Sequence, residues 1–304
     1  MSGLLNSLLT SRDGWSALFV AGLAAGGAVG AALDPHNLAS LPQLSVGRYV
    51  AAGLLVGMGT RLGGGCTSGH GICGLARLSK RSIVAVATFM AAGACTAAAL
   101  ALSSPAGANA VAPLSIAPLA TLASSPLVPM VAFSASAAAL ALTAAAGDSL
   151  VHALVTGTTF GLGLSISGMV HPQKVSGFLD VTGRNGPWDP SLACVMAGGL
   201  ALSAAGYAVK PLLRKPVLGE RFMVPNTSVI DTSLVGGSAL FGIGWGLAGM
   251  CPGPALANLV LPLFKVSIGG TGAAFCAAMA VGMVIVDVFR RPKGPAAASK
   301  GKQN

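Results

Sequence analysis

The sequence predicts an all-α, polytopic membrane protein: about eight or nine transmembrane helices plus re-entrant half-helices, in two related halves. Three observations carry this. Hydrophobic residues make up 53% of the 304 and charged residues only 9%, against about 25% charged in a soluble domain. Mean hydropathy is +0.76. Apolar runs recur along the whole length, at 15–33, 47–62, 82–103, 110–146, 150–170, 191–209, 229–250 and 266–288. Many of them reach the roughly 20 residues that a helix needs to cross about 30 Å of hydrocarbon. A secreted or cytosolic enzyme is excluded.

The elements follow in order. Residues 1–14 are an N-terminal segment, too long and too weakly basic for a signal peptide, so the first run is expected to remain as a helix. Residues 15–104 are expected to form the first half, 105–146 a joining membrane segment, 147–290 the second half, and 291–304 a disordered basic tail. The net charge of +10 reports topology in such a chain and not a nucleic-acid partner. Lys210, Arg214, Lys215 and Arg221, and then Arg290, Arg291, Lys293, Lys300 and Lys302, mark cytoplasmic ends and a cytoplasmic C-terminus. The membrane is a plasma (inner) membrane or that of an organelle.

The chain repeats itself. "GMGTRLGGGC" (Gly57–Cys66) aligns with "GIGWGLAGMC" (Gly242–Cys251) at a constant offset of 185, matching Gly57, Gly59, Leu62, Gly64 and Cys66 to Gly242, Gly244, Leu247, Gly249 and Cys251. A degenerate third copy is "GLGLSISGMV" (Gly161–Val170), with Val170 where the cysteine would stand. Glycines let helices approach closely in lipid. A helix that stops at membrane depth is tolerated only inside protein or beside water. The following segments 67–80, 171–182 and 252–264 are too short to span. They read as half-helices whose N-termini sit inside the membrane, with free N–H donors and partial positive charge. Broken helices in corresponding positions point to a transport site near the midplane. Parallel repeats would put Arg77, Lys80 and Arg81 on the outer side. Either the repeats are not parallel, or these cations serve an anion vestibule.

Six cysteines are present. Cys95, Cys194 and Cys276 lie in apolar runs and read as small buried hydrophobes. Cys66, Cys73 and Cys251 lie among glycines and helix breakers. No acidic pair stands inside the runs, and Asp148 and Asp287 fall near run ends, so the passage suits an anion rather than a proton-coupled cation. A thiol is a weak donor and a polarizable surface, which suits a soft sulfur-bearing anion. The thiols should then stay neutral, since a thiolate would repel the cargo. Cys66, Cys251 and Cys73 are the pathway candidates, with Gly64, Gly65, His70, Gly249 and Pro252 shaping the passage and Lys174 in the first turn of the middle half-helix. Two alternatives use the same residues: a Cys3His metal site of Cys66, His70, Cys73 and Cys251, or a thiol-redox protein. No motif calls for a cofactor or for nucleotide hydrolysis. In "HPQKVSGFLD", Pro172 starts the half-helix, Phe178 and Leu179 face the bundle, and Asp180 is expected to pair with Lys174 or Arg184. Trp188 is expected at the membrane interface.

Three long motifs carry a family resemblance. "GCTSGHGICGLARLSKRSIVAVATFMAAG" (Gly65–Gly93), "GMVHPQKVSGFLDVTGRNGPWDPSLACVMAGGL" (Gly168–Leu200) and "GIGWGLAGMCPGPAL" (Gly242–Leu256) resemble signatures of the YeeE/YedE family of sulfur-compound transporters. The chain looks like a fusion of that family's two half-length forms. The resemblance implies an hourglass-shaped helical protein that is not an enzyme. It implies thiosulfate, or a similar small inorganic sulfur-containing anion, passed inward by S–H···S hydrogen bonds, with Cys66 and Cys251 matching the central cysteines. It also implies a cytosolic sulfurtransferase as the receiving partner. Thiosulfate transporters of the family carry a further cysteine on the first helix. "FVAGLAAGGAVGAAL" (Phe19–Leu33) has none, which leaves Cys73 as the candidate third thiol.

Overall fold

The computed structural model describes residues 14–33, 44–103, 127–219, 222, 224–225, 227–259 and 269–290. The expectations for residues 1–13, for the tail 291–304, for Arg221, for residue 104, for 105–126 of the joining segment and for 260–264 fall outside these. Among the described residues the secondary structure is helical, without strands. Eight helices have 17 to 24 residues: α1 (Gly14–Leu33), α2 (Val46–Gly63), α3 (Lys80–Ser103), α4 (Leu127–Ala145), α5 (Ser149–Ile166), α7 (Ser191–Val209), α8 (Thr232–Ala248) and α10 (Gly269–Arg290). Four segments are short: a π-helical segment Thr67–Gly74, α6 (Pro172–Leu179), a 3-10 turn Lys210–Leu212 and α9 (Pro252–Ala257). Five of the helices are long and apolar enough to span a membrane, and α8 and the described part of α4 are shorter apolar ones. The chain is thus an integral, multi-pass membrane protein.

Several helices start where the sequence offers a cap. Asp148 accepts from the backbone N–H groups of Leu150 and Val151 at 2.9 and 3.1 Å. Asp231 accepts from Leu234 N–H at 2.9 Å. Pro172 and Pro252 open α6 and α9, where a missing N–H costs nothing. The first two short segments end earlier than expected, at Gly74 and Leu179. Their expected continuations fold into turns instead, with Leu78 at φ 52° before α3 and Asp180 closing a loop after α6.

The direction of packing can be read from the close approaches. The glycines of α2 meet α8 with Gly63 beside Gly237, Gly59 beside Phe241, and Ala52 beside Gly244, so α2 and α8 run antiparallel. In contrast, Gly53 and Gly57 of α2 meet Phe275 and Met279 of α10, and Phe89 and Gly93 of α3 meet Gly242 and Gly246 of α8. Both of these pairs are parallel. The first helix of each repeat therefore packs along the last helix of the other, about a pseudo-two-fold axis in the membrane plane, an inverted repeat. The α1 helix runs parallel to α5 through Gly22, Gly26, Gly157 and Gly161. Small residues drive this because lipid offers helices no hydrophobic gain from associating. At the centre, Phe89, Phe241 and Trp245 form a buried ring cluster with centroids 5.3 to 6.1 Å apart.

This inversion settles the orientation left open by the sequence. Parallel repeats are ruled out, and the cations fall on one end. Asp287 pairs with Arg61, Asp231 lies 3.7 Å from Arg81, and Arg290 donates to Ser233 Oγ at 2.7 Å. Arg77 donates to Pro225 O at 2.7 Å and stacks on Tyr207. The ends of α2, α7 and α10 and the starts of α3 and α8 are therefore together, with Arg77, Lys80, Arg81, Lys210 and Arg290. Arg48, Lys174 and Arg184 lie at the opposite end. Cysteines introduced at Arg184 and at Arg214 will react with an impermeant maleimide from opposite sides of the membrane. Labelling of both from one side would overturn the inversion.

Candidate functional site

The site is built by three turns of one design. Gly64, Gly168 and Gly249 occupy matching places in the three copies, and all are left-handed, at φ 75°, 71° and 65°. That region is open to glycine and costs other residues about 1–2 kcal/mol. In the first and third copies the turn ends a helix, places the cysteine two residues on in extended backbone, and starts the short segment from it. Cys66 and Cys251 are the N-cap residues, with φ −127° and −89°. In the middle copy the N-cap is His171, one residue later than the match.

Because the repeats are inverted, the first and third short segments enter from opposite ends and their N-termini meet in the middle. Cys66 and Cys251 are both buried, at 2% and 7% exposure. Thr67 Oγ1–H donates to Cys251 Sγ at 3.9 Å, Trp245 Nε1–H donates to the same sulfur at 2.9 Å, and Cys66 Sγ lies 3.3 Å from Ser68 Oγ. Two sulfurs from two repeats thus share the narrow centre, with hydroxyls and an indole N–H around them. Among the described residues no disulfide forms. Thr67 and Trp245 escaped sequence reasoning. Trp245 aligns with Thr60 under the 185-residue offset, and the difference between these two was the signal.

His70 has a different task from metal binding. Its Nε2 lies 3.2 Å from Gly63 O, a group that can only accept, so Nε2 carries the proton. Its Nδ1 lies 3.0 Å from Ser82 Oγ and accepts from it. With both nitrogens engaged, His70 is a strut between the end of α2, the π-helical segment and α3. Gly65 makes room for its ring, since a Cβ there would lie 2.6 Å from His70 Cδ2. Cys73 is exposed, unlike Cys66 and Cys251. Among the described residues no three His, Cys, Asp or Glu side chains come together to hold a metal ion, so the Cys3His arrangement is not formed.

Other expectations also need correction. Lys174 pairs with Asp189 at 3.0 Å, not with Asp180. Asp180 instead closes its own loop, accepting from Thr182 N–H at 3.1 Å, from the Thr182 hydroxyl, and from Asn185 Nδ2 at 2.9 Å. The reason is the depth of the 180–190 loop, which brings Asp189 back over α6. Lys174 is a neutralised anchor of α6, which packs its start against Gly249 and its Leu179 against Gly93. Trp188 donates to Phe178 O at 2.8 Å and packs on its ring. Cys95 and Cys194 are exposed on the outer surface of the bundle and Cys276 is partly buried. A uniformly apolar run does not tell its lipid face from its protein face.

An inverted-repeat helical bundle whose broken helices meet at mid-membrane is the architecture of a membrane transporter. Residues 3–96 match a sulphur-transport family, and residues 148–297 match a family of unknown function (DUF6691). A probable transporter of Xylella fastidiosa (strain Temecula1) is 46% identical over 135 residues, 44% of this chain and 86% of that protein. A probable transporter of strain 9a5c shows 46% identity over 135 residues, 87% of its length. Another probable transporter of strain Temecula1 is 67% identical over 48 residues, 16% of this chain and 36% of that protein. No solved structure matches. This chain belongs to the YeeE/YedE sulphur-transport family, in a two-part form.

Proposed function

We propose that the protein passes thiosulfate, or a closely related small sulfur-containing anion, across the membrane by way of Cys66 and Cys251, without covalent change to either. The observation that carries this is the meeting of two buried thiols from opposite ends, each placed by a left-handed glycine. A thiol can donate S–H to a sulfur or oxygen of the anion while its own sulfur accepts from a neighbour. Cys251 already accepts from Trp245 and Thr67, which leaves its S–H to turn toward a cargo. The surrounding hydroxyls and the N-terminal N–H groups of the two short segments favour negative charge. Nothing in this scheme asks for a bond to be made or broken, so the protein is a carrier and not an enzyme. Cys73, being exposed, serves at most the rim of the path.

The basic end is the cytoplasmic side in this reading, by the excess of Lys and Arg there, and the C-terminus is cytoplasmic with it. The division into a first half (15–104), a joining segment (105–146) and a second half (147–290) is retained as part of the same proposal. A cytosolic acceptor such as a sulfurtransferase would meet the basic end. The test is uptake of sulfur-labelled thiosulfate by cells that lack their own sulfate and thiosulfate carriers. Time-dependent uptake on expression of this chain is expected. Uptake at the level of empty cells would overturn thiosulfate as the cargo.

A further inference from the structure

Two arginines hold the same kind of place at opposite ends. Arg81 Nη2–H donates to Gly63 O at 3.4 Å, next to the left-handed Gly64 and three residues before Cys66. Arg48 Nε–H donates to Leu247 O at 2.7 Å, two residues before the left-handed Gly249 and four before Cys251. Each guanidinium caps the carbonyl end of the helix that breaks to form the site, where the dipole favours a cation. The repeat does not explain the pair. The residue 185 places after Arg48 is Ser233, and Arg81 comes from α3 whereas Arg48 comes from α2. A cation at each broken helix end has thus been supplied from two unrelated positions.

The two differ in what they have left to give. Arg81 is committed: besides Gly63 O it donates to Val229 O and has Asp231 at 3.7 Å. Arg48 is half-buried, and among the described residues it has no carboxylate partner: the ion pairs there are Arg61–Asp287, Arg81–Asp231 and Lys174–Asp189. Its Nε makes the guanidinium's one hydrogen bond among these residues, which leaves the Nη1/Nη2 fork uncommitted. A charged side chain inside a membrane segment is costly unless it serves a partner or a path. A planar fork of N–H donors is the group that recognises oxyanions in a bidentate manner.

We infer that Arg48 is the anion-recognition residue at the end opposite the basic face: its fork takes oxygens of an oxygen-bearing sulfur anion before the anion reaches Cys251. The inference rests on the anion-carrier reading above. The carbonyl of Leu247 aims the guanidinium by holding Nε, and the fork faces the incoming cargo. Arg81 at the other end, neutralised by Asp231, binds less tightly, so the anion is captured at one mouth and released at the other.

The test compares wild type, Arg48→Gln and Arg48→Lys, purified and reconstituted in liposomes, by initial rates of labelled thiosulfate uptake and by melting in detergent. Arg48→Gln is expected to raise KM tenfold or more while changing the maximal rate far less. Arg48→Lys, which restores the charge without the fork, should recover part of that loss. An unchanged KM in Arg48→Gln, with wild type active, overturns this inference alone. So does a lowered melting point with a reduced maximal rate and unchanged KM in both variants, which would make Arg48 only a helix cap. Absence of uptake in wild type overturns the proposed cargo, and this inference with it.

Discussion

Replacing Cys66 or Cys251 with alanine will cut labelled thiosulfate uptake by roughly ten- to a hundredfold while the protein still reaches the membrane. The size follows from the loss of one hydrogen bond to a charged group, about 1.5–3 kcal/mol, where about 1.4 kcal/mol is a factor of ten. Either residue should suffice, because the two sulfurs come from different repeats and stand in series, not in parallel. Serine at either position keeps a donor but loses the soft sulfur, and intermediate uptake is expected. The alanine variants remove little volume, so abundance and melting in detergent should stay close to wild type. Normal uptake by both alanine variants would sink the thiol mechanism. The same loss in Cys73→Ala would draw Cys73 into the path despite its exposure.

The largest structural effect is expected at Gly249. Alanine there must adopt φ 65°, which costs about 1–2 kcal/mol. Its Cβ would also collide with the carbonyl oxygen of Pro172 and with Ser176 Oγ. The first of these is backbone and cannot swing aside, so overpacking adds roughly 1–3 kcal/mol. A clear drop in melting temperature is therefore expected, together with lost uptake, since the turn sets where Cys251 lies. Gly163→Ala is the control: it is helical, and a Cβ there meets nothing within 4 Å. It should be neutral or slightly stabilising, because alanine favours a helix interior over glycine by up to about 1 kcal/mol. Equal melting of the two variants would mean that the left-handed turn is not what holds α6 and α9 together.

The class of the protein was legible because burial in lipid is a matter of composition. The eight apolar runs each correspond to one long helix among the described residues. The glycine turns were legible because only glycine fits them, so Gly64, Gly168 and Gly249 recur at one spacing even where the cysteine is lost. Direction was not legible. An offset of 185 residues is the same whether the second copy points up or down, and only the approach of Gly59 to Phe241 and of Ala52 to Gly244 decides it. The misplaced Arg77, Lys80 and Arg81 were nevertheless the clue, since the charge rule failed only under the parallel arrangement. Pairing across loops was equally out of reach: Lys174 chose Asp189 over the nearer Asp180. So was the lipid face of α3 and α7, where Cys95 and Cys194 sit exposed among alanines that look alike on every side.

The α4 helix packs chiefly on α5, and among its described side chains none belongs to the central core. Its contribution is parity. Between α2 and α8 lie four crossings, α3, α4, α5 and α7, and an even number is what makes α8 run against α2. Removing α4 would leave three, and the second half would be threaded the other way up. Its glycine turn would then open on the same leaflet as the first, and the two short segments would no longer enter from opposite ends to bring their sulfurs together. A helix that touches almost nothing of the site thus decides whether there is a site at all.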